Sequence, residues 1–177
     1  MRSLLVLVAF LAAIGFVIAM PLRSEQMPRI TGENLSGQQV SLPSASAGSV
    51  AIMCIGFSHA SQSQLKPWAE RAAKAFRQND HVLVYSIAVL EDAPRWVRGM
   101  AVRGMRSAVP AQQRDHFVVV YHGESELKRV TGFRRSEEAY ILLLDPTGEI
   151  QWVSHGPVSD AALQELTDRV RSLQPSQ

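Results

Sequence analysis

The sequence predicts an α/β domain, with a mixed central sheet flanked by helices and a hydrophobic N-terminal anchor in front. Three observations carry this expectation. Short apolar runs alternate with longer segments of helical period, the pattern of strands joined by crossover helices. The last two strand-like runs are separated by the turn Asp145-Pro-Thr-Gly148, which implies a closing antiparallel hairpin. The first twenty residues are more apolar than anything that follows.

The N-terminus comes first. Met1-Arg2-Ser3 precedes an uninterrupted apolar run from Leu4 to Met20, closed by Pro21. Residues 1–22 therefore read as a signal-anchor or a signal peptide. Retention is favoured, because cleavage after Val17-Ile18-Ala19 would leave Met20-Pro21 at the mature end. A retained segment makes residues 4–20 a single-pass membrane anchor with the domain outside the cytoplasm, periplasmic in a bacterium. Cleavage near residue 19 would yield a secreted protein instead. No cysteine follows the run, which excludes a lipoprotein anchor.

Residues 23–37 are polar and rich in turn formers, a tether leading into an edge hairpin whose second strand is Gln39–Leu42. The folded domain is expected over residues 28–173. Pro43 to Gly48 is a loop by composition, and Val50 to Phe57 is an apolar run suited to a strand buried on both faces. From Ser61 to Gln78, Leu65, Trp68, Ala69, Ala72 and Phe76 form one helical stripe. Ser61 and Gln64 fit a capping box, whereas Pro67 should kink the helix unless it lies in the first turn. His81 to Leu90 is a second strand. A helix follows to about Ala108 with Asp92 as its N-cap, weakened by Gly99 and Gly104. Phe117 to Tyr121 is a third strand, Glu124 to Val130 a short helix, Ala139 to Leu144 and Glu149 to Ser154 the hairpin, and Ser159 opens the last helix.

Composition narrows the function. Of the 177 residues, 46% are apolar and 19% charged, which argues against general disorder. Lys and Arg total 18 against 16 Asp and Glu, so the concentrated basic excess of a nucleic-acid binder is absent and no nucleic-acid partner is expected. The one cysteine, Cys54, excludes an internal disulfide, a structural zinc knuckle and a Cys-pair redox motif. The five histidines are scattered without helical i, i+4 spacing, so no metal site is expected, and no sequence feature calls for a cofactor.

Two stretches resemble the thioredoxin-like superfamily. One is Val50 to Trp68, a core strand handing over to a long helix through Ser58-His59-Ala60. The other is Ala139 to Leu173, with its strand–Asp–x–x–Gly–strand hairpin and final helix. The segment Glu33 to Leu42 is similar to the N-terminal hairpin of peroxiredoxin-like and membrane-anchored thiol-disulfide members. The resemblance implies a thioredoxin-like fold, but the redox apparatus is missing. The strand-to-helix junction has no Cys-x-x-Cys, and Ser136-Glu137-Glu138 stands where redox members place a cis-proline. Within the superfamily the chain is most similar to the mitochondrial ATP synthase assembly chaperones and their bacterial relatives. Tyr140, Asp145, Gly148, Trp152 and Gly156, with Gly56-Phe57-Ser58 and Trp68, carry that likeness. It implies a degenerate, redox-inactive member working as a binding or assembly factor, with a membrane-associated protein partner and no catalytic residues.

Candidate binding residues fall into two groups. Ser58, His59 and Ser61 sit at a helix start, where they either hold an anion on free N–H groups or simply cap the helix. Arg95, Arg98, Arg103 and Arg106, with Arg134 and Arg135, form either a surface for an acidic partner or anionic lipid, or an ordinary solvated face. Cys54 lies mid-strand and reads as a small buried hydrophobe. The alternative is a thiol-dependent, peroxidase-like protein using Cys54 alone, which requires that the thiol be exposed at the junction.

Overall fold

All seven residues of Val50–Gly56 are buried, because this strand has sheet on both edges and side chains packed over both faces. Around it the chain runs β1 (Glu25–Gln26), β2 (Ile30–Asn34), β3 (Gln39–Leu42), β4 (Val50–Gly56), α1 (Gln62–Ala75), β5 (Val82–Val89), α2 (Arg95–Ala108), β6 (Phe117–Val120), α3 (Glu124–Thr131), β7 (Ala139–Leu144), β8 (Glu149–His155) and α4 (Asp160–Ser172). This computed structural model describes residues 25–174. The expected anchor over residues 4–20 lies outside the described residues, among which no helix is long and apolar enough to cross a membrane.

The strands form one sheet in the order β1-β8-β7-β4-β5-β6-β2-β3. The pairs β4–β5 and β5–β6 are parallel, as crossover helices require, while β7 runs antiparallel to β4 and β8. A mixed sheet flanked by helices is thus observed. Alternation along β4 divides the core. Val50, Ile52 and Cys54 pack with Leu65, Trp68 and Ala72 of α1 and Leu166 and Val170 of α4. Ala51, Met53 and Ile55 face the other way, toward Leu127 and Val130 of α3 and toward Met27, Ile30 and Leu42 of the N-terminal segment. A smaller cluster of Leu35, Ala88, Phe117 and Val119 receives Val102 and Met105 from α2, a helix with no buried residue of its own.

Local chemistry explains most element ends. The Ser159 hydroxyl accepts the Ala162 amide at 3.1 Å and caps α4 as the sequence predicts. In the β7–β8 turn, Asp145 Oδ1 accepts the amides of Thr147 and Glu149 at 2.8 and 3.0 Å. Partial burial pushes the Asp145 carboxyl up, but hydrogen bonds from the Thr147 hydroxyl, the Glu149 and Thr147 amides and Gln151 outweigh it, and the carboxyl lies below its ordinary range. Gly148 completes the turn at φ +86°, and a Cβ there would stand 2.8 Å from Pro43 Cγ.

Two sequence expectations need correction. Ser61 and Gln64 form no capping box: Ser61 is already helical, and its hydroxyl donates back to the Ser58 carbonyl at 2.8 Å. Gln64 Oε1 instead accepts the Ala139 amide at 3.3 Å, tying α1 to the start of β7. Asp92 is not the N-cap of α2. That position falls to Pro94, after a turn in which the Ala93 amide bonds the Leu90 carbonyl at 3.2 Å. Pro67 lies six residues into α1, which continues to Ala75; its missing N–H costs one bond, while Leu65, Trp68 and Ala72 hold the helix to the sheet.

Candidate functional site

At the junction between β4 and α1, Gly56 packs directly against the Ser61 side chain. A Cβ on Gly56 would come within 2.5 Å of Ser61 Oγ. Ser61 is fully buried, and its hydroxyl bond to the Ser58 carbonyl closes the turn. The Ser58 hydroxyl accepts the Ser61 amide at 3.3 Å and donates to the Ser136 carbonyl at 2.7 Å. Ser58 and Ser61 are therefore committed to local structure and to a strap across to the loop before β7. His59 is exposed at the head of α1.

The loop over residues 132–138 is held by the base of Tyr140. The Tyr140 hydroxyl accepts the amides of Arg134 and Arg135 at 2.8 and 2.9 Å and donates to the Arg135 carbonyl at 2.9 Å. Its ring packs with Phe133 and with Phe57 from the junction, at centroid separations of 5.6 and 5.5 Å. Lys128 Nζ lies 4.7 Å from the Phe133 centroid. Glu138, largely buried, is bracketed by Arg135 Nη2 and His155 Nδ1, both at 3.0 Å. Phe57 and Glu138 entered the sequence reading only as parts of short motifs, and neither they nor His155 and Phe133 were candidate site residues. Only the fold brings these four side chains from separate segments to one end of the sheet.

The arginines divide by what they hold. Arg98 folds back to donate to the carbonyls of Ala93 and Glu91, both at 2.8 Å, with its guanidinium over Tyr121. Arg106 donates to the Leu35 carbonyl at 2.8 Å and faces Glu33 at 4.0 Å. These two fasten α2 to the domain. Arg95 and Arg103 are exposed and make no such contact. Arg135 pairs with Glu137 and Glu138, and Arg134 is exposed beside it. Arg134 and Arg135 belong to the junction end, next to Ser58, while the α2 arginines belong to a separate wall.

A groove of about 1140 Å³ lies between α1 and α2, and none of Arg95, Arg98, Arg103 and Arg106 lines it. Its floor is one face of β5, with Val82, Val84 and Ser86, and Leu65, Ala69, Val97, Met100 and Met105 line its sides. Trp96 and Met100 are 73% and 54% exposed on α2, unusual for side chains of that size.

Cys54 lies in the middle of β4, opposite Ser86 of β5 and Ile141 of β7. Burial pushes its thiol up to about 12. The exposure at the junction that a Cys54-dependent enzyme requires is not observed. Trp68 Nε1 donates to the Gly156 carbonyl at 2.9 Å, and Trp152 Nε1 to Glu165. The aromatic and glycine positions of the closing hairpin are thus accounted for by packing and turn geometry. Among the described residues, no cluster of three or more His, Cys, Asp or Glu side chains is placed to hold a metal ion.

A parallel β4–α1–β5 unit followed by α3 and an antiparallel β7–β8–α4 closure defines a thioredoxin-like domain. Solved structures agree on this fold. BsSco, a member of the Sco family of cytochrome c oxidase assembly proteins, matches with a TM-score of 0.60 at 16% identity, over 85% of this chain and 94% of its own. The thioredoxin domain of thiol-disulfide oxidoreductase BVU-2223 from Bacteroides vulgatus gives 0.58 at 18% identity, over 85% and 97%. The pneumococcal lipoprotein thioredoxin Etrx1 from Streptococcus pneumoniae gives 0.58 at 15% identity, over 80% and 99%. The family described as ATP10 protein matches residues 22–173, and the chain belongs to that family. No relative was found among curated proteins.

Proposed function

We propose that the chain is a membrane-tethered, redox-inactive assembly factor that uses a thioredoxin-like domain to hold a protein partner while a membrane complex is built. ATP synthase is the complex its family points to. The observation that carries this reading is the junction itself. At the position where a redox member presents its thiols, Ser58 and Ser61 are tied into the turn and to Ser136, and the chain's one cysteine is buried in mid-sheet. A nucleophilic thiolate needs exposure and a cationic or helix-end environment, and Cys54 has neither. What the domain offers in place of chemistry is surface: exposed apolar side chains and unpaired arginines on a rigid sheet. Apolar residues 4–20 support tethering, which keeps that surface near membrane-inserted subunits and raises their effective concentration.

Affinity capture with the full chain, from cells assembling ATP synthase, tests this reading. The expected result is co-purification of a membrane-sector subunit, with the protein resisting carbonate extraction and its domain open to protease from the extracytoplasmic side only. A mature N-terminus after Ala19 would replace the tether with a secreted domain. Absence of every ATP synthase subunit from the captured material would overturn the assembly role.

A further inference from the structure

We infer that the outer face of α2 lies against the anionic headgroups of a phospholipid membrane, which holds the tethered domain in one orientation at the membrane surface. The inference rests on the reading of residues 4–20 as a membrane tether and names a second contact with the same membrane. Three observations lead to it. First, α2 has a side that its own domain does not use. Val102 and Met105 pack on the cluster of Leu35, Ala88, Phe117 and Val119, and Val97, Ala101 and Met105 face the groove. On the opposite side Trp96, Gly99, Arg103 and Ser107 recur at i, i+3, i+7 and i+11, and all four are exposed. Trp96 is 73% exposed, and Met100, at the edge of this stripe, 54%. An exposed helix side is convex, a shape that a deformable lipid surface accommodates without a complementary groove.

Second, the charge on that side has one sign. Residues 93–114 contain no Asp or Glu. Arg98 and Arg106 are held by backbone carbonyls and are left out of the count. Arg95 and Arg103 are exposed, and their guanidiniums have no ion-pair partner among the described residues. The carboxylates that flank the segment are engaged elsewhere. Glu91 Oε2 accepts the Glu124 amide at 2.7 Å, Asp115 Oδ1 accepts the Ser36 hydroxyl at 2.5 Å, and Asp92 lies within electrostatic reach of Lys128. Tryptophan beside unpaired arginine suits a membrane–water boundary, where the indole sits at headgroup level and the guanidinium meets phosphate. Third, the tether is short. The chain from Met20 to Glu25, where the described domain begins, spans at most roughly 18 Å. Two arginines and one tryptophan are too few to recruit a free protein, but they suffice to orient a domain already held at the surface.

The test uses the full 177-residue chain reconstituted in vesicles of phosphatidylcholine, with or without phosphatidylglycerol. Acyl chains brominated near the headgroup quench any tryptophan that reaches them. The expected result is quenching at least about threefold stronger with phosphatidylglycerol than without it, falling as salt rises. The quenching should be lost in Trp96→Phe, which leaves Trp68 and Trp152 in place. Arg95→Glu with Arg103→Glu should remove the difference between the two lipids without changing the circular dichroism. Arg95→Lys with Arg103→Lys should retain it, because headgroup attraction follows charge more than guanidinium geometry. Equal quenching in both lipids, no quenching, or quenching indifferent to the double reversal would overturn the inference. So would protection of Trp96 by a Glu-flanked helical peptide with no response to phosphatidylglycerol, which would assign the face to an acidic protein. Release of the unmodified chain by carbonate would overturn the tether and the inference with it. Quenching that follows Arg95 and Arg103 without capture of any ATP synthase subunit would support the membrane contact and remove the assembly role. Capture without such quenching would do the reverse.

Discussion

Replacing Trp68 by Ala is expected to destabilise the domain by about 3–5 kcal/mol, the range for removing a large aromatic from a core. Trp68 is fully buried between α1, the sheet and α4. Its indole N–H bonds the Gly156 carbonyl, so the substitution also leaves that acceptor without its partner. Against a total stability of roughly 5–15 kcal/mol, this loss is a large fraction. Trp68→Phe keeps most of the volume and should cost less than half as much. Urea unfolding followed by far-UV circular dichroism measures both. A Trp68→Ala midpoint close to that of the unmodified chain would mean that α1 is not held to the sheet through this residue.

Tyr140→Phe is expected to have the largest effect at the junction end. The substitution preserves the ring that packs on Phe57 and Phe133. It removes the oxygen that accepts the amides of both Arg134 and Arg135. Those amides lie in an exposed loop and regain water, so the stability cost falls near the low end of about 1–3 kcal/mol. The dynamic effect is larger. Hydrogen exchange at the Arg134 and Arg135 amides should accelerate at least about tenfold, a change worth about 1.4 kcal/mol in local opening, while exchange in β4 and β7 stays as it was. Unchanged exchange at these two amides would show that the Ser58–Ser136 strap, and not the tyrosine, fixes the loop.

The sequence was most informative where one property decided the structure. Ala139–Leu144 and Gln39–Leu42 are strands with the boundaries that apolar pattern and flanking turn residues indicate. Ser159 caps α4 because a serine in extended conformation before a helical stripe has few other uses for its hydroxyl. Ser61 misled because its hydroxyl had a competing acceptor in the Ser58 carbonyl, visible only once the tight turn exists. Asp92 misled because Pro94 fixes its own φ and starts the helix two residues later.

The arginine pattern was legible as charge but not as function. Nothing in the order of residues says that Arg98 and Arg106 will be used on carbonyls, Arg106 on one far away in sequence, while Arg95 and Arg103 remain free. The groove depends on how far α2 stands from α1 over β5, a tertiary quantity with no local signature. The pairing of Glu138 with Arg135 and His155 likewise needs the β7–β8 register, which sets Tyr140 opposite His155.

The account stands or falls on whether Cys54 takes part in chemistry. Burial pushes its thiol up to about 12 and leaves it fully covered in mid-sheet, which disfavours the thiolate at neutral pH. The decisive measurement is native labelling of the full chain with a small thiol-specific reagent, alongside partner capture by Cys54→Ser. The account predicts no labelling until the domain is unfolded, and capture by Cys54→Ser at the level of the unmodified chain. Rapid labelling of the folded protein together with loss of capture in Cys54→Ser would contradict it and make the chain a thiol protein after all.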